Sequence, residues 1–443
     1  AARRWRQCMH QRRRGVASRE KGSCREEQQS ICGLGRRRRS KMMETSRNDI
    51  EPSDLPALGY PELVLGRVVG RGGFSAVNEV ANINLQEVFE TSNEASKRRA
   101  ELAACCHNNE TGSNRYVVKM LRTDLPEDEH TKGVVDLAVE ARFLAMLSHP
   151  NIITMRATAN SDPLESKFFV LLDKLATTLE YKMQSWRKEI GAAMGFWFGP
   201  CIGHCCANKQ ILHKLWIDRL LVARDVSAAI RYLHDQDIVY RDLKPDNVGF
   251  SEEGEVKIFD FGLAKRLHPD DRVENGLYML TGNTGSLRYM APEVALGKPY
   301  NERVDAYSFG ILFWQICALT TPYSGYSCKM HSDLVVGKGY RPKADSSWPA
   351  PWTELMKRSW SSDVYTRPDF EHIVGVLDEE IEEMLREDEL SMPNKRSGHI
   401  HARKKKSFRI KARKDRERLD VDTRITGFVA EDGPQKRHDV DVV

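Results

Sequence analysis

Three short motifs in the second half of the chain constrain its fold and chemistry more than any other feature. They read Tyr-Arg-Asp-Leu-Lys-Pro-Asp-Asn at 240–247, Ile-Phe-Asp-Phe-Gly at 258–262 and Met-Ala-Pro-Glu at 290–293. One such motif would be weak evidence, because an Asp or Asn in a loop is usually a turn former. Three motifs in this order and spacing indicate one constellation of polar side chains, namely Asp242, Lys244, Asn247 and Asp260.

These four side chains have complementary chemistry. A carboxylate within hydrogen-bond reach of a hydroxyl orients that nucleophile and takes its proton, which is the role we predict for Asp242. Asn247 and Asp260 supply the oxygen ligands that Mg²⁺ prefers. Lys244 can neutralise phosphate, since a loose phosphoryl-transfer transition state is stabilised mainly by positioning and charge balance. The motifs therefore predict phosphoryl transfer.

A glycine-rich segment lies upstream, at residues 70–77, and reads Gly-Arg-Gly-Gly-Phe-Ser-Ala-Val between two strand-like runs. Glycines there let the backbone approach phosphate oxygens and present N–H donors to them. Lys119 follows in a β-branched run, and Glu140 lies on a helical pattern where it can hold that lysine. Periodicity predicts strands at 63–69, 76–80, 116–121, 152–157 and 168–172 and helices at 135–147, 216–234 and 305–319.

With these motifs in place, residues 60–385 resemble a eukaryotic protein kinase domain. The resemblance implies an α+β, bilobal protein kinase fold, with a small β-rich N-lobe at 60–172 and a larger, mostly helical C-lobe at 176–385, and ATP between them. It implies catalytic roles for Asp242, Lys244, Lys119 and Glu140. It implies magnesium binding by Asn247 and Asp260. It implies nucleotide contacts by Gly70, Gly72, Gly73, Val77, Lys119, Leu172, Asp173 and Leu175.

The branch of the family follows from further segments. Residues 244–247 resemble the serine/threonine version of the catalytic loop, whereas 285–293, 305–310 and 360–370 are similar to the tyrosine-kinase-like branch. The resemblance therefore implies an ATP- and Mg²⁺-dependent kinase acting on serine and threonine in protein substrates. Dual specificity and a pseudokinase scaffold on the same fold are the alternatives, and retention of every catalytic group favours an active enzyme.

The segment from Asp260 to Glu293 is expected to be the activation segment. Because Arg241 precedes the catalytic Asp, a phosphate added to this segment, by an upstream kinase for example, would pair with the arginine. The candidate acceptors are Thr281 and Thr284. Ser286 is instead expected to be a structural hydroxyl that bonds Asp242 and Lys244.

Gly249 departs from the family pattern, which places a large apolar residue two positions after the metal-binding asparagine. That residue forms the floor of the adenine slot. Glycine is expected to leave the floor open, giving a roomier slot and weaker ATP binding, unless another residue fills the gap.

Two insertions interrupt the domain. The polar stretch 86–114 is predicted to be a loop between adjacent strands. The stretch 191–210 is predicted to be an apolar loop against the large lobe. A zinc site from Cys201, His204 and Cys205 or Cys206 is a weaker alternative, since this spacing matches no well-known pattern.

Both ends of the 443-residue chain are strongly basic, although its net charge is only +5. Residues 1–59 are expected to be a disordered leader, with an interaction arm, a targeting segment or upstream sequence before a start at Met42 or Met43 as alternatives. Residues 386–443 are expected to be a disordered tail, and contact with nucleic acid or an anionic membrane is the alternative. Ten scattered cysteines and the absence of an apolar span predict a cytoplasmic or nuclear protein without a transmembrane segment.

Overall fold

The computed structural model describes residues 55–86, 93–195 and 204–390. Its first part is a six-stranded sheet with the strand order β1-β5-β6-β4-β3-β2. The strands are β1 (Ala57–Leu58), β2 (Leu63–Arg71), β3 (Ser75–Ile83), β4 (Tyr116–Leu121), β5 (Met155–Ala159) and β6 (Phe169–Asp173). β4 coincides with the predicted run, because its valines and aromatic residue favour a half-buried pleated surface.

Helices dominate the rest of the described chain. They are α1 (Asn93–Ala104), α2 (Glu127–Met146), α3 (Leu179–Gly195), α4 (His204–His234), α5 (Pro292–Ala295), α6 (Arg303–Ala318), α7 (Cys328–Met330), α8 (Ala350–Ser359) and α9 (Phe370–Leu390). α7 continues into a π-helical turn, His331–Gly337. Five short strands complete the C-lobe: β7 (Thr177–Thr178), β8 (Ile238–Val239), β9 (Val248–Phe250), β10 (Val256–Ile258) and β11 (Lys265–Arg266).

This architecture confirms the predicted α+β bilobal fold, with a β-sheet lobe followed by a helical lobe. The C-lobe is organised around α6, which is buried along almost its whole length because its sequence is apolar on every side. α2 begins at Glu127, earlier than predicted, since its polar first turns contribute no apolar periodicity. The chain divides into two compact units, of which the first ends at Glu380 and the second begins at Ile381. The structure describes residues 381–390 of the second unit, which are the last ten residues of α9.

The polar stretch at 86–114 is not simply a loop, because it contains α1. This helix buries an arginine instead of an apolar stripe, which is why periodicity did not reveal it. Arg99 donates to Glu62 Oε1 at 2.5 Å and to the carbonyl oxygen of Ala57 at 2.5 Å. Glu62 also accepts hydrogen bonds from the N–H groups of Gly59 and Gln86. The insertion is thereby anchored to the start of the sheet.

The stretch 191–210 is also partly helical. α3 extends to Gly195 and α4 begins at His204, so the prediction of an apolar loop is wrong at both ends. Residues 196–203, including Cys201 of the suggested zinc set, lie outside the described residues. Within the ranges that the structure describes, no group of three His, Cys, Asp or Glu side chains could hold a metal ion.

The two basic ends, 1–54 and 391–443, also lie outside the described residues. Helix α9 continues to Leu390, five residues past the predicted domain end at 385. None of the helices in the described ranges is long and apolar enough to cross a membrane.

Candidate active site

Lys119, Glu140 and Asp260 meet between the sheet and the helical lobe. β4 carries the lysine, α2 carries the glutamate, and Asp260 follows β10. Lys119 Nζ lies 2.5 Å from Glu140 Oε2 and 3.0 Å from Asp260 Oδ1. Burial alone would lower the pKa of Lys119, but the two carboxylates outweigh it and raise that pKa. The lysine is therefore held as a cation that links both lobes.

Asp260 stays ionised despite its surroundings. Burial favours its neutral form, yet the charges of Lys119 and Lys244 and a hydrogen bond from the Gly262 N–H together lower its pKa. The backbone at Asp260 is left-handed, with a φ of 68°, which is a strained conformation for a residue with a side chain. Strain of this kind persists only where neighbouring contacts hold it.

The loop after β8 presents Asp242 with its two carboxylate oxygens in different environments. Oδ2 accepts hydrogen bonds from Lys244 Nζ at 2.5 Å and from Asn247 Nδ2 at 2.9 Å. Oδ1 is buried and has no hydrogen-bond partner among the residues that the structure describes. Lys244 Nζ also donates to Ser286 Oγ at 2.9 Å, which connects the loop to the later segment. The predicted bond from Ser286 to Lys244 is thus present, whereas among the described residues the Asp242 carboxylate is bonded by Lys244 and Asn247 instead of Ser286.

The buried carboxylate of Asp305 holds this loop through hydrogen bonds to its backbone. Asp305, at the start of α6, is fully buried and accepts hydrogen bonds from the backbone N–H groups of Tyr240 and Arg241, both at 2.8 Å. His234 Nε2 lies 2.9 Å from the same carboxylate. These bonds hold Arg241 in a left-handed conformation with a φ of 68°. The position of Asp242 is thus fixed by the most buried helix of the lobe.

Tyr240 packs behind Phe261. Their ring centroids lie 5.3 Å apart in an edge-on arrangement. The Tyr240 hydroxyl also donates to the carbonyl oxygen of Phe259, and burial raises its pKa well above the ordinary value. A tyrosine at this position therefore adds a hydrogen bond between the loop that carries Asp242 and the segment that carries Asp260.

The predicted nucleotide residues of the sheet lie on β2, β3, β4 and β6 and in the turn between β2 and β3. Gly70 on β2 pairs with Val77 on β3, and Val77 in turn pairs with Lys119. Gly72 and Gly73 form the turn between β2 and β3. On the other side, Leu172 of β6 pairs with Val117 of β4, and Asp173 binds Arg156 through two hydrogen bonds of 2.7 and 2.8 Å.

The expectation of an open floor at Gly249 is wrong. A Cβ placed on Gly249 would lie 2.5 Å from Leu175 Cδ1, 3.2 Å from Phe259 Cε1 and 3.3 Å from the carbonyl oxygen of Thr177. The space that a larger residue would take is therefore already filled, chiefly by the side chain of Leu175. A small residue on β9 therefore lies against a large residue shortly before β7, a contact between separate segments that no local pattern indicates.

The predicted activation segment contacts the loop that carries Asp242 at Thr281. Arg241 Nη1 donates to Thr281 Oγ1 at 2.8 Å and to the Tyr300 hydroxyl at 3.1 Å. The Tyr300 hydroxyl donates to the Thr281 carbonyl oxygen at 2.8 Å. Thr284 Oγ1 lies 3.3 Å from Thr281 Oγ1 and does not reach the arginine directly. Thr281 is thus the candidate nearest to the positive charge.

Asp136 is a polar group of the cleft that sequence reasoning missed. It precedes Glu140 by one helical turn on α2 and lies beside the Gly262 backbone, where an added Cβ would be 3.5 Å from Asp136 Cβ. Burial and the charge of Asp260 raise its pKa to about 6. Its spacing from Glu140 was the available signal, because residues four apart share a helix face.

Comparison with known proteins decides the family. The family profile described as "Protein tyrosine and serine/threonine kinase" matches residues 95–377. The chain belongs to this protein kinase family. This kinase also contains helix α1 within the stretch 86–114, the buried Arg99–Glu62 pair and the contact between Leu175 and Gly249.

Several named kinases are similar to the chain. Serine/threonine/tyrosine-protein kinase HT1 of Arabidopsis thaliana is 30% identical over 272 residues, which cover 61% of each chain. Serine/threonine-protein kinase STY17 of the same plant is 38% identical over 165 residues, 37% of this chain and 28% of the relative. Mitogen-activated protein kinase kinase kinase 11 of Homo sapiens is 26% identical over 347 residues, 76% of this chain and 33% of the relative.

The matched segment of this chain therefore covers less than two thirds of the length of each of these relatives. Their tyrosine-kinase-like character agrees with the branch predicted from the sequence. Membership of a protein kinase family implies ATP as the phosphoryl donor and a divalent metal ion.

Proposed function

We propose that this kinase transfers the γ-phosphate of ATP to serine and threonine hydroxyls of protein substrates, using Mg²⁺. The observation that carries the proposal is the unpartnered Oδ1 of Asp242, because a buried acceptor without a donor is costly unless a ligand supplies one. Asp242 Oδ1 accepts the proton of the substrate hydroxyl as the hydroxyl oxygen bonds to the γ-phosphorus. The bond from that phosphorus to the bridging oxygen breaks, and ADP leaves.

The remaining groups support the same reaction. Asn247 donates its amide nitrogen to Asp242, so that its amide oxygen can bind a metal ion, and the Asp260 carboxylate accepts a hydrogen bond from Lys119 at Oδ1. Oxygen donors of this kind suit Mg²⁺, which balances the charge of the phosphates when bound. Lys119 beside Asp260 and Lys244 beside Asp242 contribute positive charge that can stabilise the transferred group.

Serine/threonine specificity rests on the lysine of the catalytic loop. Lys244 binds both Asp242 and Ser286, so its positive charge is held close to the proposed base. We expect a serine or threonine hydroxyl of the substrate to bind beside this charge. Dual specificity is the second candidate, because the name of the related Arabidopsis thaliana kinase HT1 includes tyrosine. A pseudokinase scaffold is the third, and the intact set of acidic and basic groups argues against it.

We further propose an upstream kinase that phosphorylates Thr281 and action in the cytoplasm or nucleus. The contact between Arg241 and Thr281 Oγ1 supports the first point, since a phosphate on that oxygen would lie against the guanidinium. The second point rests on the cysteine content and the absence of a predicted span. Contacts of the basic ends with nucleic acid or an anionic membrane are secondary proposals.

The test is phosphoryl transfer by the purified full chain with labelled ATP and Mg²⁺, followed by phosphoamino acid analysis. Asp242→Asn and Asp260→Asn serve as controls, since each keeps the shape of the side chain and removes its charge. Phosphoserine and phosphothreonine that disappear in both controls are expected. Phosphotyrosine in addition would favour dual specificity, whereas ATP binding without any transfer would favour the scaffold.

A further inference from the structure

The glycine-rich turn is tied to the end of β4 by an arginine. Arg122, the residue after β4, donates its backbone N–H to the carbonyl oxygen of Phe74 at 3.0 Å. Its Nη1 donates to the carbonyl oxygen of Gly73 at 3.1 Å and lies 3.5 Å from that of Gly72. The turn is thereby connected to the strand that carries Lys119.

Asp124 holds the Arg122 guanidinium in position for this contact. Arg122 Nε lies 2.9 Å from Asp124 Oδ1, and Nη2 lies 2.7 Å from Oδ2. Such a two-point contact fixes the plane of the guanidinium and aims its remaining nitrogen in one direction. A lysine could pair with Asp124 as a point charge, but it could not bind the carboxylate at two points and the Gly73 carbonyl together.

The side chain of the turn rests on helix α2 at a glycine. A Cβ built on Gly133 would lie 2.7 Å from Phe74 Cβ, 3.4 Å from Phe74 Cγ and 3.5 Å from Leu121 Cδ2. Real Cβ atoms do not approach other carbons so closely, so any other residue at this position would displace Phe74 or the helix. Glycine within a helix is less favourable than alanine, and helix stability therefore does not explain its presence.

These contacts close a ring around the phosphate-binding groups. Gly133 lies seven residues, or two turns, before Glu140 on α2, and Glu140 binds Lys119 on β4. β4 continues into Arg122, which returns to the turn. We propose that Gly133 and Arg122 are positioning residues that hold the glycine-rich turn in register with Lys119, so that its N–H groups meet the nucleotide phosphates without reorganisation.

This inference rests on the proposed ATP-dependent reaction and extends it to residues away from the reacting atoms. Alanine at position 133 should favour the helix but push Phe74 off it, so that folding stability and phosphate binding change in opposite directions. Binding of the base should not change, because the adenine slot is lined by other residues. A residue important only for packing would lower stability and affect both ligands alike.

The experiment compares full-length wild type, Gly133→Ala and Arg122→Gln. Gly375→Ala is the matched control, because Gly375 lies within α9 and an added Cβ would meet nothing within 4 Å. Titration calorimetry gives the Kd of ATP with Mg²⁺ and the Kd of adenosine, which has no phosphates. Hydrogen exchange of the amides of residues 70–77, measured without nucleotide, reports how firmly the turn is held.

Both variants should weaken ATP binding by about tenfold and change adenosine binding by less than about twofold. Exchange over 70–77 should be faster in both, and the melting temperature of Gly133→Ala should not fall. The control should match wild type in all ligand and exchange measurements. Phe74→Ala, on the partly exposed turn, should reproduce the loss for ATP, and adding Gly133→Ala to it should weaken binding no further.

Unchanged ATP binding in Gly133→Ala, or equal losses for ATP and adenosine, would overturn the inference. If Gly133→Ala does not fold, Phe74→Ala decides by the same two affinities. If wild type binds neither ligand, the proposed reaction fails, but the exchange measurement still decides the positioning role: faster exchange in the variants supports it, and unchanged exchange overturns it.

Discussion

Replacing Gly249 by alanine should move Leu175 into the adenine slot. Gly249 has an ordinary strand backbone, so the cost of Gly249→Ala is steric and arises from the 2.5 Å approach to Leu175 Cδ1. Overpacking of this kind costs about 1–3 kcal/mol. We expect the lower end, about 1 kcal/mol, because Cδ1 is the end of a rotatable side chain, whereas Phe259 and the Thr177 carbonyl limit other movement.

A double-mutant cycle with Leu175→Ala measures this effect. The free energy of unfolding from urea titration and the Kd of adenosine are determined for wild type, both single variants and the double variant. Leu175→Ala should cost about 1–2 kcal/mol, since the side chain is only half buried. In the double variant the methyl group added at position 249 enters the vacated space, so the coupling should be favourable by about 1 kcal/mol and adenosine binding should recover.

Additivity within about 0.5 kcal/mol would refute the reasoning, since residues that do not compete for space behave independently. Gly191→Ala is the control, because an added Cβ on this α3 glycine would meet nothing within 4 Å. It should leave adenosine binding unchanged.

Three further predictions concern other parts of the molecule. Arg99→Met leaves Glu62 buried without its cation and should lower the free energy of unfolding in urea by about 3 kcal/mol; a loss under about 1 kcal/mol would contradict the anchoring role. Thr281→Val should abolish activation by an upstream kinase, and Arg241→Gln should remove the effect of a phosphate on Thr281. Phosphoryl-transfer rates measure the activation, and mass spectrometry measures the phosphate. Full activation of either variant would exclude a switch based on a phosphate at Thr281. Burial and nearby arginines lower the pKa of His331 from 6.5 to about 4, so the unfolded state binds more protons between these values and stability falls as the pH drops through this window. His331→Gln should reduce that slope by up to about 1.4 kcal/mol per pH unit, measured by urea unfolding at several pH values.

The grouping of Asp242, Asn247 and Asp260 was predictable from the sequence because it depends on short spacings along the chain. Asp242 and Asn247 lie five residues apart in one loop, and Asp260 follows the short strand β10. The chain itself therefore brings these three groups near one another. Lys119 and Glu140 required the family resemblance in addition, since they come from separate elements. The apolar helix α6 was equally visible, because burial on all sides leaves a continuous apolar run.

Helix α1 was not predictable in this way, because its stabilising contact joins it to a distant segment. Periodicity detects apolar stripes, whereas Arg99 on α1 is buried against Glu62 at the start of the sheet. The starts of α2 and α4 were missed for a related reason, since their first turns carry polar residues or fall in an atypical insertion.

The sequence by itself determined the family and the lobed fold and predicted the polar groups of the site, because the motifs that indicate them consist of residue types at short, fixed spacings. Only the tertiary structure decided that Leu175 fills the space above Gly249 and that Phe74 rests on Gly133. Both contacts join segments far apart in the chain, and they depend on a methyl-sized gap on one surface meeting a side chain from another. Close packing of that kind arises only in the folded molecule, so it cannot be identified from the order of the residues alone.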